Sequence, residues 1–175
     1  GLQIFRRLLQ ILHGTPREQF VRAPQASDGC VVMSNPDLER LLSTVQIRTT
    51  PVVIAPALQW VQPAALDADR QQFEASLEAW RNAKGQGDLG QLKGFYSNRF
   101  QNQGRDLAQG WPRVEAEVRS GTGARGLEIK DLSVLRWRDT QDTMVVTFGE
   151  VALGQSRGVT KRQYWARERD QWKIF

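Results

Sequence analysis

Apolar positions change their spacing several times along the chain, and each change marks a different kind of element. Leu2, Phe5, Leu8, Leu9 and Leu12 recur at helical intervals, which predicts a helix over residues 1–12. Residues 13–30 have no period and carry Gly14, Pro16, Pro24, Ser27, Asp28 and Gly29, so they read as loop. Val31 to Met33 is a short apolar run. Asn35 suits a helix N-cap and Pro36 a first helical position, for a helix over residues 36–44 with Leu38, Leu41 and Leu42 on its apolar face. Thr50-Pro51-Val52-Val53-Ile54 reads as a closing strand.

Residues 55–66 hold two prolines and no clean period, which predicts a linker. A longer helix follows over residues 67–84, with Leu66, Phe73, Leu77 and Trp80 along one face and Gly85 and Gly87 as stops. A second helix is predicted from an Asp88 cap through Leu89, Leu92, Tyr96 and Phe100, and a third from Pro112 with Val114 and Val118 inward. After Gly126 the period becomes that of strands, over residues 127–138, 143–153, 159–167 and 171–175. Helices first and an antiparallel meander afterwards make an α+β fold. The domain boundaries drawn from this pattern are 1–56 and 64–175.

Composition narrows the class. Of 175 residues, 40% are hydrophobic and 25% charged, as in a globular protein. No apolar run reaches the roughly 18 residues of a membrane span, and Leu8 to Leu12 is too short for the core of a signal peptide. The net charge of +5 and pI of about 9.9 favour polyanions. The arginines are spread along the chain without a basic block or a nucleic-acid motif. Nucleic acid is therefore set aside, and anionic lipid or cell-wall polymer remains.

The chain has one cysteine, Cys30, and one histidine, His13, 17 positions apart. A thiol titrates near 8.5, so a cysteine nucleophile needs a partner that raises its thiolate fraction, and an imidazole is the usual one. Gly29 lets the backbone pass close to a carbonyl, and the amides at Gly29 and Cys30 could face an oxyanion. The competing reading is Cys30 as a small buried hydrophobe. Spacing alone does not decide between them.

The surrounding residues do more. His13-Gly14-Thr15-Pro16, then Ala26-Ser27-Asp28-Gly29-Cys30-Val31-Val32-Met33-Ser34-Asn35-Pro36-Asp37-Leu38, then Thr50-Pro51-Val52, resemble the end of the L,D-transpeptidase catalytic domain of the YkuD type. That family carries a histidine–glycine pair, a Ser-x-Gly-Cys box, an Asn/Asp-led helix and a Thr-Pro-Val strand. Asp28 stands where it usually has a second histidine. The stretch corresponds to the C-terminal part of that domain. The resemblance implies a β-rich catalytic segment with Cys30 as nucleophile, His13 as base, and Ser27, Asp28, Gly29 and Gly14 in the substrate loop. It implies peptidoglycan stem peptides as substrate, a cell-envelope or periplasmic location, and no metal or organic cofactor. Cross-linking to an amine and hydrolysis as an L,D-carboxypeptidase both remain open.

Residues 64–175 resemble an NTF2-like domain, a cone of three helices on a bent antiparallel sheet, as in the cell-shape L,D-carboxypeptidase branch. Trp80, Phe95-Tyr96-Ser97, Phe100, Trp111, Val145-Val146-Thr147-Phe148, Lys161-Arg162-Gln163-Tyr164-Trp165 and Trp172-Lys173-Ile174 carry that resemblance. Trp80, Trp111 and Trp137 sit at inward-looking positions that read as core filling, with a ring-stacking ligand pocket as the alternative. With neither Cys nor His, this domain is read as recognising rather than reacting, with Arg162, Tyr164 and Trp165 as candidate substrate contacts and a homodimer through the sheet as a further implication. The alternative to an enzyme is a non-catalytic binding or dimerisation module carrying an enzyme remnant.

Overall fold

A computed structural model of the chain describes residues 12–19, 30–46, 50, 52, 60–122, 126–138 and 141–175. The chain divides into two compact units, Gly1–Thr50 and Pro51–Phe175.

In the first unit, β1 (Leu12–Thr15) pairs in parallel with β2 (Val31–Ser34), from Leu12 opposite Val31 to Thr15 opposite Ser34. His13 and Gly14 therefore lie in a strand, not in a loop. Four residues show no readable period, and it is the β-branched Val31 and Val32 across the ladder that extend them. Leu12 belongs to the same strand, and the rest of the helix expected over 1–12 lies outside the described residues. A short 3₁₀ turn, Arg17–Gln19, follows Pro16. Helix α1 (Asn35–Thr44) starts directly after β2. Its cap is Ser34, one residue before the Asn35 expected from sequence. The Ser34 hydroxyl accepts from the Asp37 amide at 3.3 Å and donates to the Asp37 carboxylate at 2.5 Å. Thr50 and Val52 lie in no strand, and the remainder of the expected closing strand is outside the described residues.

In the second unit, α2 (Ala64–Gln86) begins within the stretch read as linker. It ends at Gly87, whose φ of +74 allows the left-handed cap and whose N–H reaches the Ala83 and Lys84 carbonyls. Gly85 stays helical. A Cβ there would come 3.0 Å from the Leu127 backbone nitrogen, so its absence lets a strand approach. Helix α3 (Leu89–Gly94), capped by Asp88, is shorter than expected. The chain leaves the helix because β8 claims its backbone: Ile174 N–H donates to the Phe95 carbonyl and Ser97 N–H to the Ile174 carbonyl, each at 2.7 Å. A small hairpin, β3 (Gln101–Asn102) and β4 (Arg105–Asp106), turns at Gln103 and Gly104, both at positive φ. Helix α4 (Leu107–Glu117) opens on an Asp106–Gln109 capping box, so Pro112 lies inside it rather than at its start. A π-helical turn, Val118–Thr122, continues it.

The sheet is an antiparallel meander in the order β5 (Leu127–Arg138), β6 (Asp142–Ala152), β7 (Val159–Glu168) and β8 (Gln171–Ile174). Strand ends fall within about one residue of the pattern-based ranges. Phe73, Leu77 and Trp80 from α2, Leu92 from α3, Trp111 from α4, Met144, Val146 and Phe148 from β6, and Trp165, Trp172 and Ile174 make the core. Trp165 sits at its centre, edge-on to Phe73 at 5.6 Å, Phe95 at 6.2 Å and Trp80 at 6.4 Å between ring centroids. Mixed helix and sheet in this arrangement is α+β.

Candidate functional site

The parallel pairing of β1 with β2 is what relates the histidine to the cysteine. His13 lies opposite Val32, and Cys30 is the residue entering β2, two positions before Val32. Cys30 stands one residue ahead of the ladder, and His13 pairs two positions further along, so the pairing brings the two residues to the same end of the β1–β2 segment. Both residues are half-buried. The His13 Nδ1 lies 3.2 Å from the Gly14 carbonyl oxygen. A carbonyl can only accept, so Nδ1 carries the proton and the Nε2 lone pair is the basic one in the neutral ring.

Gly14 is fixed by α1. A Cβ at Gly14 would run into the Asn35 side-chain oxygen and would lie 3.2 Å from Leu38 Cδ2. The helix that follows the cysteine strand thus packs against the residue that follows the histidine. Sequence reading named Gly14, Asn35 and Leu38 without seeing that they meet. Ser27, Asp28 and Gly29 lie outside the described residues. Among the described residues, no group of His, Cys, Asp and Glu is spaced to hold a metal ion, and no helix is long and apolar enough to cross a membrane.

The second unit holds a charge cluster that sequence reading missed. Lys84 Nζ on α2 lies 2.8 Å from both carboxylate oxygens of Glu150 on β6 and 2.7 Å from Glu117 at the end of α4. Lys161 on β7 reaches Glu117 at 2.5 Å and Glu150 at 3.9 Å. Lys84 and Glu150 are buried, while Glu117 and Lys161 are partly open. Burial pushes the Glu150 carboxyl up, more than the two lysines draw it down. Burial also raises Glu117, but Lys84 and Lys161 together hold it down at about 2. The signal was present in the periodicity. Lys84 continues the α2 stripe of Phe73, Leu77 and Trp80, and Glu150 continues the β6 alternation of Met144, Val146 and Phe148. A charge at the next position of an apolar stripe announces a buried partner.

Of the three candidate substrate contacts, Trp165 is corrected. Strand alternation separates it from Arg162 and Tyr164, and its face is the inner one, where it is fully buried among aromatic rings. Arg162 and Tyr164 are on the outer face of the sheet. Arg162 Nε donates to Thr147 Oγ1 at 3.2 Å, and Tyr164 meets Phe175 edge-on at 6.4 Å. Trp80 and Trp111 are buried as expected, whereas Trp137, also read as inward, is corrected: alternation along β5 puts it half-buried on the outer face, opposite Thr143 and away from the core.

Residues 72–175 match the family described as the Cds6 C-terminal NTF2-like domain. The chain belongs to this family. Residues 6–54 match the YkuD L,D-transpeptidase catalytic domain, so part of that domain precedes the NTF2-like one. A comparison with curated proteins returned no match. Among solved structures, Bd1075 of Bdellovibrio bacteriovorus is similar with a TM-score of 0.61 at 20% identity, over 93% of this chain and 59% of that one. The helical cell shape determining protein Pgp2 of Campylobacter jejuni is similar with a TM-score of 0.56 at 15% identity, over 93% and 58%. At these identities the likeness is one of fold, and the chain spans less than two thirds of either relative.

The NTF2-like domain contains no Cys and no His, which locates any thiol–imidazole chemistry in the L,D-transpeptidase segment. What the domain contributes is a sheet whose inner face is packed and whose outer face presents Arg162 and Tyr164.

Proposed function

We propose that the segment carrying His13 and Cys30 supplies the base and nucleophile of a peptidoglycan-modifying L,D-transpeptidase of the cell envelope, with the NTF2-like domain as an accessory. The observation that supports this most directly is the β1–β2 pairing, which brings the start of the cysteine strand alongside His13, with His13 Nδ1 turned to the Gly14 carbonyl so that Nε2 is free to serve as the base. In the proposed reaction, Nε2 takes the Cys30 proton and Sγ attacks the carbonyl of the third residue of a stem tetrapeptide. The bond to the terminal D-Ala breaks, and the imidazolium returns the proton to the departing amine. The thioester is then attacked by an amine, forming a cross-link, or by water, giving the carboxypeptidase outcome. In either case His13 takes the incoming proton and Sγ leaves as thiolate. Neither half needs a redox partner or a metal.

The test uses a form extended to the full length of the structural relatives. Cys30→Ala abolishes turnover of the tetrapeptide, and a carbapenem acylates the wild-type protein at Cys30 only, read by intact mass. Turnover that survives in Cys30→Ala overturns the assignment. The product, free D-Ala with or without a new peptide cross-link, separates the two acceptors.

A further inference from the structure

One exposed side chain links the cysteine strand to the histidine strand without belonging to either. Asn35 opens α1, and no residue separates it from the end of β2, the strand that Cys30 enters. The corner between strand and helix is fixed. Ser34 is buried opposite Thr15, and its hydroxyl both accepts from the Asp37 amide and donates to the Asp37 carboxylate. From that corner the Asn35 carboxamide reaches back to β1. A Cβ at Gly14 would collide with Asn35 Oδ1 and lie 3.3 Å from its Cγ, so the oxygen rests over the glycine Cα in the manner of a Cα–H···O contact. Gly14 is also the residue whose carbonyl oxygen accepts from His13 Nδ1. Side chains alternate across a strand, so Asn35 and Leu38 cover one face of β1 and the His13 imidazole is on the other. Asn35 therefore acts on the imidazole only through the Gly14 backbone.

We infer that Asn35 is a positioning residue for the reaction proposed above. Its oxygen holds the Gly14 peptide, and the Gly14 carbonyl in turn holds His13 in the Nδ1–H tautomer, in register with the cysteine strand. The inference rests on the reading that His13 is the base for Cys30. A base that presents Nε2 to a thiol needs both the right tautomer and a fixed ring, and a displacement of about 1 Å at the reacting atoms lowers a rate by about a hundredfold. The same short run of chain, Cys30 to Asn35, thus sets both partners.

Three variants test this. Asn35→Asp keeps an oxygen in the same place. Asn35→Glu gives the helix start the same negative charge but moves the oxygen outward by one methylene. Asn35→Ala removes it. The first readout is the nitrogen shifts of the imidazole at alkaline pH, which need no assignment because the chain has a single histidine. Wild type and Asn35→Asp show Nδ1 protonated, and Asn35→Ala and Asn35→Glu show a mixture of tautomers. The second readout is tetrapeptide turnover in the extended form. There kcat falls about tenfold in Asn35→Ala and Asn35→Glu at unchanged KM, and Asn35→Asp restores most of it. Amide exchange in β2 and α1 reports the fold of each variant. Where alanine loosens the helix, aspartate against glutamate decides, because both acids favour its N-terminus. Wild-type tautomer and kcat in Asn35→Ala overturn the inference. Equal rescue by both acids also overturns it, since Asn35 then serves the helix start alone. So does a raised KM with an unchanged tautomer, which puts Asn35 on the substrate. The tautomer is read without turnover, so this inference fails separately from the transpeptidase reading, which depends on Cys30 acylation.

Discussion

Lys84 and Glu150 face each other across the interior of the NTF2-like domain, with Nζ 2.8 Å from each carboxylate oxygen and both side chains buried. Two charges taken out of water tolerate the loss of one partner poorly, because the other is left unpaired. Lys84→Met leaves Glu150 with only Lys161, at 3.9 Å, and is expected to cost about 3–5 kcal/mol in chemical denaturation. The double variant Lys84→Met/Glu150→Leu is expected to recover most of that loss, since a well-packed apolar pair of similar volume replaces an ion pair about evenly. A double variant as unstable as the single one would mean that the cluster stabilises by attraction rather than by mutual compensation.

The same cluster makes a prediction about acid. Glu117 sits at about 2 in the folded chain, below the ordinary value of 4.5, so the stability it contributes is present above about pH 4.5 and fades as pH falls towards 2. Glu150 is raised, so its contribution has the opposite sign: it is fullest below the ordinary value and is lost as pH rises through the folded one. Glu117→Gln is therefore expected to flatten the acid limb of a stability–pH curve relative to wild type. Glu150→Gln is expected to leave that limb in place. Asp69, Asp142 and Glu168 are also lowered, by hydrogen bonds to Arg136, Arg136 and Arg99, and they keep a residual acid limb in both variants.

How much of this was legible depended on how far apart the determining residues lie. The sheet was readable almost to the residue because alternation is local: Met144, Val146 and Phe148 point in whatever the rest of the chain does. Helix ends were less readable, because α3 is cut short by hydrogen bonds to Ile174, some 80 positions away, and α4 starts at a capping box that the proline at 112 obscured. Parity separated Trp165 from Arg162 and Tyr164, but parity does not say which face is inside. Only the packing of α2 against the sheet turned Trp165 into core. The His13–Cys30 relation was legible as a motif, whereas its physical basis, a parallel ladder with α1 seated on Gly14, was not.

That seat gives a prediction for the first unit. Gly14→Ala places a methyl against the Asn35 side chain and Leu38, so α1 or β1 must shift. Overpacking of this kind costs about 1–3 kcal/mol. The expected result is faster amide exchange in β2 and α1 together with slower acylation of Cys30, while exchange in residues 127–174 stays unchanged. Wild-type exchange in α1 with altered acylation would instead put Gly14 in direct contact with the substrate.

The last prediction concerns autonomy of the second domain. Phe73, Trp80, Phe148, Trp165 and Trp172 converge on a core that draws on α2, β6, β7 and β8. The ends of α2 are tied to the sheet by separate ion pairs: Asp69 to Arg136 at 2.6 Å near one end, and Lys84 to Glu150 near the other. Every one of these residues lies between 64 and 175, and a domain of this size buries enough apolar surface to fold alone. Residues 64–175 expressed by themselves are expected to melt in one cooperative transition, with tryptophan fluorescence and far-ultraviolet circular dichroism giving the same midpoint. Asp69→Asn is expected to lower that midpoint without broadening it, since it loosens one tie and leaves the aromatic core intact. A broad melt, or midpoints that differ between the two probes, would show that the core needs the first fifty residues to close.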